Sequence, residues 1–303
     1  MPSRFRRPRV LIVGCGDVGQ RCLPLLAGRV AVFALTSSAA RMPDLRARGV
    51  VPLLGNLDQA ATLARLAGLA QRVIHLAPPQ RDGANPGDPL NLQDRRTAAL
   101  LRVLRQRTVP QALVYGSTSG VYGDCGGEIA IETRALSPIT SRATKRFDAE
   151  TRVRHHGRAT LQRVSVLRIP GIYAPNRAEG MPLERLRLGT PVLAAPDDVY
   201  TNHIHADDLA RACVAALWRG APQRVYNVND DSVLRMGDYF DLAADLFSLP
   251  RPPRLSRAEA AVQLSPLRLS FMSESRRMDN SRMKRELRLH LRYPTVGTGL
   301  LAI

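Results

Sequence analysis

Residues 10–19 read Val-Leu-Ile-Val-Gly-Cys-Gly-Asp-Val-Gly. The apolar run Val10–Val13 has strand character, and glycines 14, 16 and 19 follow in G-x-G-x-x-G spacing before helix-compatible residues. Gly14 permits the tight bend at the strand end. Gly16 lets backbone approach a pyrophosphate, and Gly19 lets the helix lie close to the strand. The helix N-terminus then offers unpaired N–H groups and its positive dipole end to phosphates. The motif is weak when isolated. Set between a strand and a helix, it points to a dinucleotide site rather than a structural turn, with Asp17 and Val18 inside the binding turn.

Outward from this turn, strand and helix patterns alternate. Strands are expected at Arg9–Val13, Val30–Leu35, Val50–Leu54, Arg72–Leu76, Ala112–Tyr115, Val164–Ile169 and Val225–Val228. Helices are expected at Val18–Ala27, Asp58–Ala67, Leu92–Arg107, Thr140–His155 and Ala206–Trp218, with Pro24 bending the first. The alternation predicts an α/β fold, a Rossmann-type doubly wound parallel sheet. Pro78–Pro89 follows the fourth strand and reads as a loop at the carboxyl edge of the sheet, where such folds bind ligands. After Val228 the alternation fades. Gly237–Leu249 reads as helical and Leu249–Pro253 as a stiff break. The expected division is a dinucleotide-binding unit, residues 1–170 with about 204–228, and a small substrate-side lobe, about 171–203 and 229–303.

The chain has 303 residues and 45% apolar content, enough for a sizeable core. No apolar run reaches the ~18 residues of a transmembrane helix, and no membrane association is expected. The run after the basic segment Met1–Arg9 is too short for a signal peptide. Cysteines 15, 22, 125 and 213 form no C-x-x-C pair. Reduced thiols in a cytoplasmic protein are the simple reading. Forty-four basic residues against 26 acidic ones give a charge of +18, yet lysine occurs only at 145 and 284 and the arginines are dispersed. With aromatics at only 5%, few rings are available to stack on bases, so no specific nucleic-acid partner is expected.

The second strand ends Ala34-Leu35-Thr36-Ser37-Ser38. A carboxylate there would bind the ribose 2′-hydroxyl of NAD, and none is present. Thr36 and Ser37, with Arg41 beyond, suit the 2′-phosphate of NADP; NAD stays open as the alternative.

Taken together, the chain resembles the extended short-chain dehydrogenase/reductases of the NAD(P)-dependent epimerase/dehydratase group. It looks nearest to atypical members that have lost the catalytic tyrosine. The matching segments are the glycine turn, Gly55-Asn56-Leu57, His75-Leu76-Ala77, Gly116-Ser-Thr-Ser-Gly-Val-Tyr-Gly123, Leu167-Arg-Ile-Pro-Gly-Ile-Tyr173, His203-Ile-His-Ala-Asp-Asp-Leu209, Tyr226-Asn227-Val228 and Ser275-Arg-Arg-Met-Asp-Asn280. The resemblance implies adenine contacts from Asn56 and Leu57 and strand-end contacts from Leu76 and Ala77. It also implies a homodimer through the helices Leu92–Arg107 and Thr140–His155.

Family chemistry uses a Ser or Thr with Tyr and Lys in Y-x-x-x-K, the lysine tuning the tyrosine and holding the nicotinamide ribose. The family Ser/Thr falls on Thr118 and the lysine on Lys145, but Ser141 stands four residues earlier where tyrosine is expected. Lys145 reads either as a surviving ribose contact or as a solvated charge. A serine hydroxyl cannot replace a phenol in reach or acidity. Nucleotide-sugar dehydratases of the family place Asp-Glu after that threonine; here Ser119 and Gly120 follow, so their acid–base pair is missing.

Other constellations are weaker. The segment Gly116–Gly120 looks like a nucleophile elbow, but centres on Thr118 rather than serine. His203 and His205 would need further ligands to hold a metal, and no metal is expected. Asp207 or Asp208 is expected to cap the following helix. Tyr122 and Tyr173 read as packed phenols or as phenols in the cleft. Two functions follow. One is an epimerase- or dehydratase-like oxidoreductase on a nucleotide sugar or other small hydroxyl or carbonyl compound, with Tyr122 replacing the lost tyrosine. The other is a non-catalytic NADP-binding redox sensor or scaffold.

Overall fold

The computed structural model describes residues 7–82, 92–177 and 180–302. The expected loop Pro78–Pro89 lies outside the described residues from position 83 onward. In β1 (Arg9–Val13) every residue after Arg9 is buried, as expected of a strand covered on both faces. Its side chains alternate between two cores. Val10 and Ile12 enter one, while Leu11 and Val13 enter the other.

Around it stand β2 (Ala31–Thr36), β3 (Val51–Leu54), β4 (Arg72–His75) and β5 (Ala112–Thr118). A short β6 (Ile129–Ala130) precedes β7 (Arg163–Ile169). Four short strands, β8 (Gly171–Tyr173), β9 (Val192–Leu193), β10 (Tyr200–Thr201) and β11 (His203–His205), lead to β12 (Arg224–Asn227). The central sheet runs β12-β7-β5-β4-β1-β2-β3 with every neighbouring pair parallel. The strand order reverses between β1 and β4, which opens a crevice above their carboxyl ends.

The first core packs α1 (Asp17–Leu26) and a later helix, Ala206–Arg219, against one face of the sheet. Pro24 sits within α1, which continues through it to Leu26. Helix α2 (Met42–Ala47) follows β2. The second core packs α3 (Arg95–Leu104) and α4 (Ser141–Thr160) on the other face. The expected helix at Asp58–Ala67 is a 3-10 segment, Ala60–Leu66, begun by an Asx turn from Asn56 to Asp58. Helix α4 runs five residues beyond the expected end, and within that extension a Cβ on Gly157 would lie 2.5 Å from Gln223 Oε1 and 2.6 Å from Val164 Cγ2. It stops where Leu161 turns left-handed at φ 58°.

A third core lies beyond the sheet, built on Tyr173, Leu186, Val192, Tyr239, Phe240 and Val296. It gathers α5 (Leu183–Arg187), α7 (Met236–Leu246) and short strand pairs, α6 (Ala206–Arg219) belonging to the first core. Strands β13 (Leu234–Arg235), β14 (Arg254–Leu255) and β15 (Arg277–Met278) pair with β10, β9 and β6. The β6–β15 pair draws the late chain back beside the end of β5. This places residues of the third unit opposite the glycine turn.

Candidate functional site

The three glycines of the turn have different surroundings. Gly14 has φ +88°, and a Cβ there would lie 2.4 Å from the backbone nitrogen of Ala77. A Cβ on Gly19 would lie 2.9 Å from the carbonyl oxygen of Gly14. Packing therefore requires both. A Cβ on Gly16 would meet nothing within 4 Å. Gly16 is the N-cap of α1 and makes no side-chain cap bond, so the helix start is open toward the crevice. That arrangement fits a diphosphate.

A cavity of about 550 Å³ begins at this turn. Gly14, Gly16, Asp17, Val18, Gly19, Leu76 and Thr118 line it, so seven of the expected site residues meet in one place. Its far walls are Arg142, Ala143 and Arg146 of α4, and Tyr200, Asn202, Met236, Glu274 and Arg276 from the lobe side. Asp17 pairs with Arg21 and Arg177, both at 3.0 Å, which ties the segment after β8 to α1. Arg21 also pairs with Asp207 at 2.5 Å and bonds Asn176.

On the β2 side, Arg41 donates to the Cys15 carbonyl at 2.7 Å, which sets its guanidinium beside the glycine turn. The Thr36 hydroxyl is engaged with backbone of Ser38, and Ser37 is exposed. Asn56 and Leu57 lie in the turn after β3, where Thr62 receives the Asn56 N–H. Thr36, Ser37, Arg41, Asn56, Leu57 and Ala77 stand outside the lining of the cavity.

Two expected catalytic residues do not reach the cleft. Tyr122 is 1% exposed, and its hydroxyl donates to Asn227 Oδ1 at 2.7 Å. Arg168 lies over its ring at 4.7 Å, and burial pushes its pKa up. Tyr122 closes the 3-10 turn Ser119–Tyr122 with its ring buried, outside the lining of the cavity. Lys145 is likewise outside the lining. Its ammonium donates to the Gln80 carbonyl at 3.0 Å and pairs with Asp82 at 2.5 Å. Ser141 donates to the same Asp82 oxygen at 2.7 Å. The Lys145 and Ser141 bonds hold the Asp82 carboxyl below its ordinary pKa. Lys145 therefore anchors the chain after β4.

The charged α4 residues on the cavity are Arg142 and Arg146, one turn apart and one residue later than the expected pair. Arg146 Nη1 donates to the Gly116 carbonyl at 2.7 Å and the Tyr115 hydroxyl at 3.1 Å. Burial pushes Tyr115 up to about 12. His75, bonded to Thr97 at 2.9 Å, is pushed down to about 3 by burial and by the Arg146 charge. Thr118 accepts the Gly120 N–H at 3.2 Å. Tyr200 is the tyrosine in the lining, and Arg277 and Arg235 lie over its ring at 5.1 and 5.5 Å. Nothing in the local sequence marks Tyr200, which enters through the pairing of β10 with β13, while the β6–β15 pairing brings in Glu274 and Arg276, the latter inside the quoted segment Ser275–Asn280.

The remaining candidates are structural. His205, rather than Asp207 or Asp208, caps α6 by accepting the Asp207 N–H at 3.2 Å. Asp208 instead accepts the N–H groups of Arg292 and Tyr293 at 2.9 and 2.8 Å. His203 stacks on Tyr239 at 4.1 Å, and burial pushes it down to about 4. Tyr173 is buried, with its hydroxyl on Asp230 and the Thr295 carbonyl.

No protein of curated function matches the chain in sequence. Among solved structures, a functionally unknown conserved protein from Silicibacter pomeroyi is 28% identical, with a TM-score of 0.74 over 97% of this chain and 96% of that one. A UDP-glucose 4-epimerase from Thermotoga maritima has a TM-score of 0.77 at 17% identity, covering 96% of each chain. A UDP-glucuronic acid 4-epimerase from Bacillus cereus, solved with NAD, has a TM-score of 0.74 at 16% identity over 96% of each chain. The family model of the NAD dependent epimerase/dehydratases matches residues 10–229, from the first residues of β1 past the end of β12. With the glycine turn and the strands of the parallel sheet inside that span, the chain belongs to the NAD dependent epimerase/dehydratase family.

Proposed function

We propose that the cleft holds a nicotinamide dinucleotide, NADP in preference to NAD. We further propose that the chain is an epimerase- or dehydratase-like oxidoreductase for a nucleotide sugar or another small hydroxyl or carbonyl compound. The observation that carries this is Gly16, whose missing side chain leaves open space at the N-terminus of α1. Gly14, Gly16, Asp17, Val18 and Gly19 would hold the pyrophosphate, and Asn56 and Leu57 the adenine end. When bound, such a cofactor accepts and donates hydride. The Arg41 guanidinium beside the turn and the absence of a carboxylate in Thr36-Ser37-Ser38 support NADP. Residues 1–170 with about 204–228 would form the cofactor unit, and about 171–203 and 229–303 the substrate side.

Thr118 would orient the reacting oxygen, and Tyr200 would move its proton in place of the missing helix tyrosine. The second reading, a non-catalytic NADP-binding sensor, is supported by Arg142 and Arg146 on the cavity face of α4. A guanidinium stays protonated and moves no proton.

Calorimetric titration with NADPH and NADH tests the cofactor. Gly16→Val should fold, because its side chain meets open space, and should lose binding. Arg41→Ala should lose about ten- to a hundredfold for NADPH and little for NADH. Unchanged NADPH affinity in a folded Gly16→Val protein would remove the proposal. A cytoplasmic location accords with four free, buried cysteines. A homodimer through α3 and α4 is proposed from the family likeness; a monomer in light scattering at micromolar concentration would refute it.

A further inference from the structure

The cleft carries positive charge that its own carboxylates do not cancel. Arg142, Arg146, Arg177 and Arg276 line it against Asp17 and Glu274. Both acids are engaged, Asp17 with Arg21 and Arg177 and Glu274 with Arg276 at 2.7 Å. Arg146 differs from Arg177 and Arg276 in its partners. Its guanidinium is held by neutral oxygens, the Gly116 and Ala77 carbonyls and the Tyr115 hydroxyl, and among the described residues it forms no ion pair. Those oxygens sit at the carboxyl ends of β4 and β5.

In a doubly wound sheet the two halves of a dinucleotide lie on opposite sides of the switch point. Arg41 is on the β2 side of this one, with the adenosine half. Arg142 and Arg146 are on the β4–β5 side, with the nicotinamide half. We infer that Arg146, with Arg142 beside it, makes the cleft select the reduced form of the cofactor over the oxidised form. This rests on the dinucleotide reading above. The physical ground is charge. The oxidised nicotinamide ring carries a positive charge and the reduced ring is neutral, while the phosphates are the same in both. Two unit charges about 10 Å apart at an effective dielectric near 20 differ from the neutral case by roughly tenfold in affinity. Tenfold selection would make the bound two-electron couple easier to reduce by about 30 mV.

Calorimetry with NADPH and NADP⁺ on the intact protein, Arg146→Gln, Arg142→Gln and the double variant tests this. Arg158→Gln, on the exposed side of α4, is the control. Loss common to both forms reports attraction to the phosphates; only the ratio reports the ring. Wild type should favour NADPH, and the ratio should fall about tenfold in the double variant and stay unchanged in Arg158→Gln. If Arg146→Gln fails to fold, Arg142→Gln carries the comparison with a smaller fall. A ratio within about twofold of wild type in the folded arginine variants, or wild-type preference for NADP⁺, overturns the inference while leaving dinucleotide binding intact. Binding of neither form overturns the dinucleotide reading and this inference with it.

Discussion

Removing the Glu150 charge should cost more stability than any change on the surface of α4. Glu150 and Arg168 are each 2% exposed. Arg168 Nη2 and Nε donate to the two carboxylate oxygens at 2.8 and 3.2 Å. Ser117 donates to Glu150 at 2.5 Å, and Arg168 Nη1 donates to the Glu132 carbonyl at 3.1 Å. The pair therefore pins α4 to β5 and β7 just beneath the wall that presents Arg142, Arg146 and Thr118. Glu150→Gln leaves a buried guanidinium without its counter-charge, which costs about 3–5 kcal/mol. At about 2–4 °C per kcal/mol for a large domain, the midpoint should fall by roughly 6–20 °C. The double variant Glu150→Gln/Arg168→Met removes both charges and should regain at least ~2 kcal/mol, short of wild type because the Glu132 carbonyl loses a donor. Urea denaturation of wild type, both single variants and the double variant, followed by Trp218 fluorescence, completes the cycle. A loss under ~1 kcal/mol in Glu150→Gln, or a double variant no more stable than the single, would refute the reasoning.

Asp230 should give a distinct pH signature. Burial pushes its carboxyl up to about 7, with Ser232 and Tyr173 bonded to it. The stability of this protonated group is fully present below the unfolded value near 4 and is lost as pH rises through 7. The wild-type minus Asp230→Asn unfolding free energy should therefore fall by up to about 4 kcal/mol between about pH 4 and pH 8. The buried histidines 75, 156 and 203 act in the opposite sense below about pH 6.5, and they cancel in this difference because both proteins share them. A flat difference across that range would count against the assignment. Tyr200→Phe should lower turnover of a carbonyl or nucleotide-sugar substrate about 10²–10⁴-fold at unchanged NADPH affinity. An active enzyme indifferent to this change would take the proton-transfer role from Tyr200.

What could be read from the sequence depended on whether backbone or side-chain direction decided it. The glycine turn was legible because its demands fall on the backbone. Gly14 must accept a positive φ against Ala77, and Gly16 must leave space. The seven-stranded sheet was legible for a related reason, since apolar runs such as Val10–Val13 leave few alternatives to burial on both faces. The α4 residues were read by identity. Lys145 is the only lysine in the first 283 residues and drew the Y-x-x-x-K motif to itself. A helix turns by about 100° per residue, so a register one residue off presents a different face. The face is set by Glu150, which must meet Arg168, and this brings Arg146 and Arg142 to the cavity while Lys145 turns to Asp82. The Tyr122 ring is likewise held by Asn227 and Arg168, both far along the chain. Tyr200 enters through β10 and its pairing with β13, which no local pattern announces. The glycine-turn end of the cleft is thus written in adjacent residues. Its opposite wall is assembled from four separate stretches, those of Thr118, of Arg142 and Arg146, of Tyr200, and of Glu274 and Arg276, so it follows from the packing of α4 and the lobe.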